Sequence, residues 1–422
     1  SNMEAIAVPD FWVFFKLIFI FIAILVGLRS KVSLGLTLIL ASWLLIMVFK
    51  VDFGEVFNVA YSTIAVRDSR SGTFITIELI IVLYLIGLLE VLMRKGGVFT
   101  RMIESIGFLA RDPRKAAAFF PVFLGMLPSA GGARFSAPMV DEALKGSFMA
   151  QRKKGFANYW LRHIWEPVLP IYPGLIFASL ITGVSMSVFA ANQLPVVLFM
   201  LIAGWFVAFH KVPKAVKHGG KDKSLRAHIL AVLEGVVPMA FLVLTVLFFK
   251  WNLILALLLT VLFYTLMYRF KPGAMLGNMK EALSWHIVVL IFGVMYFKNM
   301  LEISGAVTEL TAYFKFANVP LPLIVFAMPF LVGLLTGVVQ AYVGITFPLI
   351  LPFITVGAVL DTQMLSFAFV SGYVGVMLSP VHLCFVLTCE YFKVELTEVY
   401  PLLLYLSPFL LVISYLVVFF SR

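Results

Sequence analysis

The sequence predicts an all-α polytopic membrane protein with about ten transmembrane helices and two re-entrant hairpins. Hydrophobic residues make up 62% of the chain and charged residues 13%, whereas soluble domains have roughly 45–50% and about 25%. The net charge of +11 comes from basic residues in short loops between apolar runs. That distribution is the positive-inside pattern rather than a nucleic-acid-binding surface. Two further apolar regions contain helix-breaking motifs, and these predict the hairpins.

Ten apolar runs approach the length of about 20 residues that a membrane-spanning helix needs. They lie near residues 9–28, 32–49, 73–93, 157–190, 193–209, 227–249, 252–268, 284–301, 363–390 and 399–420. The most basic loops fall on one side of the membrane, the cytoplasmic side, if both termini lie outside. The first run is longer than a signal-peptide core, so we interpret it as a retained span.

The regions 115–147 and 320–358 do not fit as crossings. The motif LPSAGGARFSAP at 127–138 interrupts the first, and TGVVQAYVGIT at 336–346 interrupts the second. A consistent orientation requires each region to leave the membrane on the side where it entered. We therefore predict two re-entrant hairpins, whose irregular backbone must be buried in protein or line a wet cavity.

Similar motifs recur in two halves of the chain. Gly97 and Gly305 are 208 positions apart, and so are Gly125 and Gly333. The predicted organisation is a first repeat at 3–209, a basic cytoplasmic linker at 210–226 and a second repeat at 227–422. Because each half has an odd number of crossings, the repeats have opposite topology, which is typical of secondary transporters.

Two spans are predicted to be broken helices. Span 157–190 contains Pro167, Pro170 and Pro173, each of which removes a backbone donor. Span 363–390 has its predicted weak point at Gly372, Gly375 and Pro380. Freed N–H groups at such breaks attract anions, and freed carbonyls coordinate coupling cations.

The first hairpin supplies the main candidates for binding a substrate. Arg134 is the candidate anchor for an anion, and the alternative is an ion pair with Asp141 or Glu142. Ligand contact is also predicted for the small residues Ser129, Gly131, Gly132 and Ser136. The alternative for these residues is close helix packing.

Glu166 is the candidate carrier of H⁺ or Na⁺, and the alternative is an ion pair with Arg162. In the second half, the substrate candidates are Gln340, Tyr342 and Thr346, and the coupling-ion candidates are Thr336, Ser379 and His382. For His382, a buried structural histidine is the alternative. If the coupling ion is Na⁺, we expect it to bind near Ser129, Glu166, Thr336 and Ser379. No other metal and no cofactor is expected. The cysteines, Cys384 and Cys389, suggest neither a disulfide framework nor a metal motif.

Two re-entrant hairpins, each followed by a proline-broken helix, resemble the ion transporter superfamily, which includes divalent anion/sodium symporters and gluconate permeases. The motif LPSAGGARFSAP is also similar to a prokaryotic membrane protein family with no assigned function. The resemblance implies homodimers in a prokaryotic inner membrane. It also implies a site at Ser129, Gly131, Gly132, Glu166, Thr336, Gln340 and Ser379. Unlike the dicarboxylate symporters, the chain has no Ser-Asn-Thr triplet at either hairpin turn.

The expected function is secondary active transport of a small carboxylate-like anion, coupled to Na⁺ or H⁺ and working by alternating access. A cation/proton antiporter without an organic substrate is the alternative. An enzyme is disfavoured because the motifs H-E-x-x-H and G-x-S-x-G are absent. A channel is disfavoured by the broken helices in two halves. The expected partners are the anionic solute, the lipid bilayer and a second copy of the chain, with no nucleic acid.

Overall fold

The computed structural model describes residues 12–65, 74–110, 112–126, 133–210, 212 and 225–420. These residues are almost entirely helical, apart from a short hairpin of β1 (Thr355–Val356) and β2 (Val359–Leu360). Six of the described helices are long and apolar enough to cross a membrane. The fold class is therefore all-α, and its long apolar helices fit a multi-pass membrane protein.

The helices of the two halves follow one order. The first half contains α1 (Trp12–Arg29), α2 (Leu34–Phe49), α3 (Phe53–Ala65), α4 (Ile75–Lys95), α5 (Val98–Leu109), α6 (Pro113–Leu124), α7 (Ala133–Ala143), α8 (Gln151–Arg162), α9 (Pro173–Thr182) and α10 (Met186–Phe209). The second half contains α11 (Leu225–Leu247), α12 (Leu253–Met267), α13 (Pro272–Ala282), α14 (Trp285–Ile303), α15 (Ala306–Phe316), α16 (Leu321–Thr336), α17 (Val339–Ile354), α18 (Thr362–Met377), α19 (Leu383–Phe392) and α20 (Leu396–Phe420).

The long helix α4 and its counterpart α14 are each followed by a sharp corner and a shorter helix. At these corners Gly97 has φ 72° and Gly305 has φ 76°. Both angles lie in the left-handed region, which glycine adopts without the steric penalty of a Cβ atom. The spacing of these two glycines in the sequence therefore has a backbone reason.

Helices of each half pack on the equivalent helices of the other half. Helix α2 packs on α14 while α12 packs on α4, and α9 packs on α17 while α19 packs on α7. Within each half, α6 packs on α7 and α8, and α16 packs on α17 and α18. The two halves therefore interlock through equivalent elements, and the second part of each broken span contacts the hairpin of the other half.

The predicted runs 157–190 and 363–390 are each two helices. The first break separates α8 from α9, and the second separates α18 from α19. The predicted weak point at Gly372 and Gly375 is wrong, because α18 continues through both residues to Met377. A Cβ atom at Gly375 would lie 2.2 Å from the carbonyl oxygen of Phe330. Gly375 therefore allows close packing of α18 on α16 instead of breaking the helix.

The second hairpin is interrupted over fewer residues than the sequence predicts. Its backbone leaves the helix only at Gly337, with φ 66°, and Val338, and α17 begins at Val339. In the first hairpin, residues 127–132 lie outside the described residues. Besides the six long helices, seven apolar helices of 10–17 residues are present in the described part of the chain. The count of ten crossings and the re-entrant course of both hairpins stay predictions.

The two breaks cross each other near the centre of the fold. The hydroxyl of Tyr373 on α18 donates to the carbonyl oxygen of His163 at 2.8 Å. The hydroxyl of Tyr159 on α8 donates to the carbonyl oxygen of Met377 at 3.0 Å. A helix end leaves carbonyl groups without intrahelical partners. Each half therefore supplies a buried tyrosine that donates to a carbonyl at the break of the other half. The His163 carbonyl also accepts from the amide of Glu166 at 3.2 Å.

We expect Tyr373→Phe to lower the free energy of unfolding by about 0.5–1.5 kcal/mol, because the buried His163 carbonyl loses the hydroxyl donor and keeps only the amide of Glu166 at 3.2 Å. Thermal unfolding of the purified protein in detergent measures the change. Tyr405→Phe is the matched control. Tyr405 is 66% exposed, so removal of its hydroxyl should change the free energy of unfolding little. Equal melting temperatures for the two variants would contradict the role of Tyr373.

We expect Gly333→Ala to destabilise the protein by about 1–3 kcal/mol through overpacking. The added Cβ atom would lie 2.2 Å from the carbonyl oxygen of Gly372, so α16 and α18 must separate. Gly155→Ala is the control in another helix, since its nearest neighbouring atom is 3.7 Å away. That control should be neutral or stabilising because alanine favours helices. A Gly333→Ala protein that melts no lower than the Gly155→Ala protein would count against the close contact.

Candidate functional site

A cavity of about 370 Å³ lies where the two breaks meet the turn of the second hairpin. The first break contributes Arg162, His163, Glu166 and Tyr172 to its wall. The second hairpin contributes Gly337, Val338, Val339 and Gln340, and the second break contributes Val381, His382, Leu383 and Cys384. The cavity is therefore built by both halves of the chain.

Three helix N-termini reach this cavity. They belong to α9, α17 and α19, whose first residues line the wall. The residues that precede these helices, Tyr172, Val338 and His382, make no side-chain hydrogen bond to the helix end. The first N–H groups of a helix have no intrahelical acceptor and carry partial positive charge. The cavity is therefore lined by uncapped helix ends that favour an anion.

Arg162 adds a full positive charge to the same wall. Its side chain is buried, and its Nη1 donates to the carbonyl oxygen of Leu124 at 3.1 Å. Two neighbours also bind the end of α6, because Trp165 Nε1 donates to Val122 at 2.9 Å and the Tyr172 hydroxyl donates to Gly125. These bonds fix the first break against the first arm of the first hairpin.

Glu166 contributes a carboxyl group to the wall of the same cavity. Its Oε2 is buried and has no hydrogen-bond partner among the residues that the structure describes. Its Oε1 lies 3.9 Å from His163 Nε2. A buried carboxylate oxygen without a partner is costly, so this position favours a bound proton or cation at Glu166.

His163 and His382 form a pair across the two breaks. His163 Nδ1 lies 2.6 Å from the carbonyl oxygen of Tyr159, and His382 Nδ1 lies 2.8 Å from the carbonyl oxygen of Gly337. Because a carbonyl only accepts, both Nδ1 atoms donate. The two Nε2 atoms are 3.1 Å apart, and in neutral imidazoles both are then acceptors. The sulfur of Cys384 lies within 4.8 Å of ligand atoms of both histidines.

Part of the predicted site in the first hairpin lies outside the described residues, namely Ser129, Gly131 and Gly132. The structure places the backbone of Arg134 in the first turn of α7 and does not describe its side chain. Ser136 is buried on α7, and its hydroxyl lies 3.5 Å from the carbonyl oxygen of Ala133.

The two predicted alternative partners of Arg134 have lysine neighbours. Lys154 pairs with Asp141 at 2.7 Å, and Lys145 pairs with Glu142 at 3.3 Å. Both carboxylates therefore have cationic partners that the sequence prediction did not consider.

Of the site residues predicted in the second half, Gln340 and His382 line the cavity. Thr336 and Ser379 lie next to the turn at Gly337, where their hydroxyls contact neighbouring backbone groups. Thr336 Oγ1 donates to the carbonyl oxygen of Val332 at 2.7 Å. Ser379 Oγ accepts from the amide of Val381 at 3.4 Å.

Tyr342 and Thr346 do not line this cavity. The hydroxyl of Tyr342 donates to the carbonyl oxygen of Phe369 at 2.9 Å, and Tyr342 packs beneath Gly372. The hydroxyl of Thr346 donates to the carbonyl oxygen of Tyr342 at 2.7 Å, and Thr346 lines a separate apolar cavity. Because α17 is helical from Val339 onward, these residues face its packed sides and not the turn.

The sequence analysis did not identify His163 and Cys384 as members of the site. His163 and His382 are 219 positions apart, so no local spacing reveals the pair. The sequence feature that could have indicated this pair is the location of both histidines in the proline-containing segments that break the helices. The absence of a local metal motif around Cys384 gave no information about ligands from the other half.

No protein in the comparison with curated proteins matches the sequence significantly. One family model matches residues 13–420, which is nearly the whole chain, including the hairpins, both breaks and the cavity. The chain therefore belongs to DUF401, a family of proteins of unknown function.

Proposed function

We propose that the protein is a secondary active transporter of a small carboxylate-like anion, coupled to Na⁺ or H⁺. The observation that carries this proposal is the cavity of about 370 Å³, whose wall contains the first residues of three helices without side-chain caps and also Arg162. Helix N-termini and a guanidinium both bind oxyanions. Discontinuous helices whose N-termini meet at such a site are a feature of secondary transporters.

The size of the cavity suits a small solute. Ligand cavities of about 300–1,000 Å³ bind small molecules, and this cavity lies near the lower end of that range. Its wall contains one amide side chain, Gln340, that can donate a hydrogen bond and so help orient a carboxylate. A compact organic anion therefore matches both the charge and the volume.

In this proposal the two halves are inverted repeats, and the hairpins re-enter from opposite sides of a prokaryotic inner membrane with both termini outside. The repeated helix order and the exchanged packing support the repeat. Glu166 is the candidate carrier of the coupling cation because its buried Oε2 has no partner among the described residues. Assembly as a homodimer follows from the resemblance to the ion transporter superfamily.

A cation/proton antiporter is the second candidate. The same buried Glu166 favours it, since a carboxylate can bind Na⁺ and H⁺ in turn without an organic substrate. Proton flux driven by a Na⁺ gradient across proteoliposomes, in the absence of any organic anion, would support antiport over anion transport.

The direct test is a thermal-shift screen of the purified protein against carboxylates, sulfate and phosphate, each with and without Na⁺. A ligand that binds the folded state at about 100 times its dissociation constant stabilises it by about 2.7 kcal/mol. We expect at least one carboxylate to raise the melting temperature. The same carboxylate should then be taken up by proteoliposomes when a Na⁺ or H⁺ gradient is applied.

We expect Gln340→Ala to weaken binding of that carboxylate about 5- to 10-fold, because one hydrogen bond is lost. Gln363→Ala is the matched control, since Gln363 lies on α18 and does not line the cavity. Arg162→Lys tests the anchor with its charge retained, and should weaken binding more than Gln340→Ala because bidentate contact is lost. If both cavity variants bind and transport the carboxylate as the control does, the assigned cavity is wrong.

A further inference from the structure

The histidine pair has an arrangement that neutral imidazoles alone do not explain. Both Nδ1 atoms donate to carbonyl oxygens, at 2.6 Å from His163 and 2.8 Å from His382. Both Nε2 lone pairs are therefore left at the contact of 3.1 Å between the rings. Two facing lone pairs repel each other, so this contact favours a proton or a metal ion between the two nitrogens.

A metal ion accounts for this geometry. Two imidazole nitrogens bound to one tetrahedral Zn²⁺ are about 3.3 Å apart, because each Zn–N bond is about 2.0 Å long. Histidines that bind metals almost always donate their other ring N–H to a carbonyl or carboxylate, which fixes the tautomer and the ring orientation. His163 and His382 both meet that condition through the carbonyls of Tyr159 and Gly337.

One further side chain is in position to join the histidines. The sulfur of Cys384 lies within 4.8 Å of the ligand atoms of both histidines. Glu166 lies beside this cluster, with its Oε1 3.9 Å from His163 Nε2, and does not belong to it. A proton shared between the two rings would engage only two nitrogens, whereas a metal ion engages the thiolate as well.

We propose that His163, His382 and Cys384 bind a divalent transition-metal ion of the zinc class, with the fourth position open to water. Imidazole and thiolate together suit Zn²⁺ rather than Mg²⁺ or Na⁺. Cys384 binds as the thiolate and releases its proton when the ion enters. The thiolate offsets one charge of the ion, and Glu166 and Arg162 stay on the adjoining wall.

This inference goes beyond the proposed transport function and does not depend on it. The ligands come from the first break, which holds His163, and from the second break and α19, which hold His382 and Cys384. A bound ion therefore connects the two halves at their crossing. It also places positive charge beside the anion cavity, which His163, Glu166, His382 and Cys384 line.

The experiment is metal binding by the full chain in detergent, after treatment with a chelator and without any transport assay. We expect one Zn²⁺ per chain by elemental analysis, and no retention of Mg²⁺. Co²⁺ should replace Zn²⁺ and give tetrahedral ligand-field bands together with a near-ultraviolet thiolate-to-cobalt band. Lack of the thiolate band in the unmutated protein would overturn the proposal and leave a shared proton between the histidines.

The variants test each ligand against a matched control. Cys384→Ser should abolish the thiolate band and weaken Zn²⁺ binding at least about 100-fold, the upper end of what loss of an outer-shell partner costs. His382→Gln should weaken binding comparably. Cys389→Ser and His210→Gln are the controls, because Cys389 is a second cysteine of α19 and His210 is an exposed histidine that bonds Phe206. Both controls should keep the unmutated affinity and spectrum.

Two outcomes separate this proposal from the proposed transport function. A thermal shift by a carboxylate, together with no uptake of Zn²⁺ when the ion is added back to the chelator-treated protein, would overturn the metal site and leave the anion cavity in place. Zn²⁺ binding that Cys384→Ser abolishes, without any response to anions, would support the metal site and count against anion transport.

Discussion

The structure depends on hydrogen bonds to the backbone groups at the two helix breaks, inside an apolar protein. Proline residues prevent a continuous helix between α8 and α9, and a buried carbonyl that lacks donors is costly. The two halves satisfy these groups reciprocally, since Tyr373 donates to the carbonyl of His163 and Tyr159 donates to that of Met377. This exchange holds the two breaks together and positions the side chains that follow each helix end.

Sequence patterns predict the elements better than they predict the contacts. The prolines indicate the first break, and the 208-residue spacing matches two glycine corners with positive φ. The same reasoning emphasised Arg134 and considered Arg162 only as an alternative ion-pair partner of Glu166, and the structure places both Arg162 and Glu166 in the cavity wall. It also selected Tyr342 and Thr346 because they are polar, although α17 directs both towards packed surfaces. The contact between His163 and His382 depends on the angle at which the breaks cross, which no local pattern encodes.

The wall of the cavity contains both positive and negative groups. Helix N-termini and Arg162 make one part of the cavity wall positive, while Glu166 and Cys384 supply negative or soft donors beside it. An anion and a cation bound together would each compensate the charge of the other in a poorly hydrated space. In the proposed transport function, this mutual compensation is the physical basis for coupling, because either ion alone leaves charge uncompensated.

The helix packing of the two halves is more symmetric than the distribution of charged residues in the cavity. Gly125 and Gly333 both allow a hairpin arm to approach a backbone carbonyl, of Arg162 and Gly372 respectively. The charged residues, however, belong to the first break, and three side chains of that break donate to the end of α6. These bonds connect Arg162 and the segment around Glu166 to the first hairpin. The second half supplies helix ends, Gln340, His382 and Cys384, so the guanidinium and the carboxylate of the cavity wall both come from the first half.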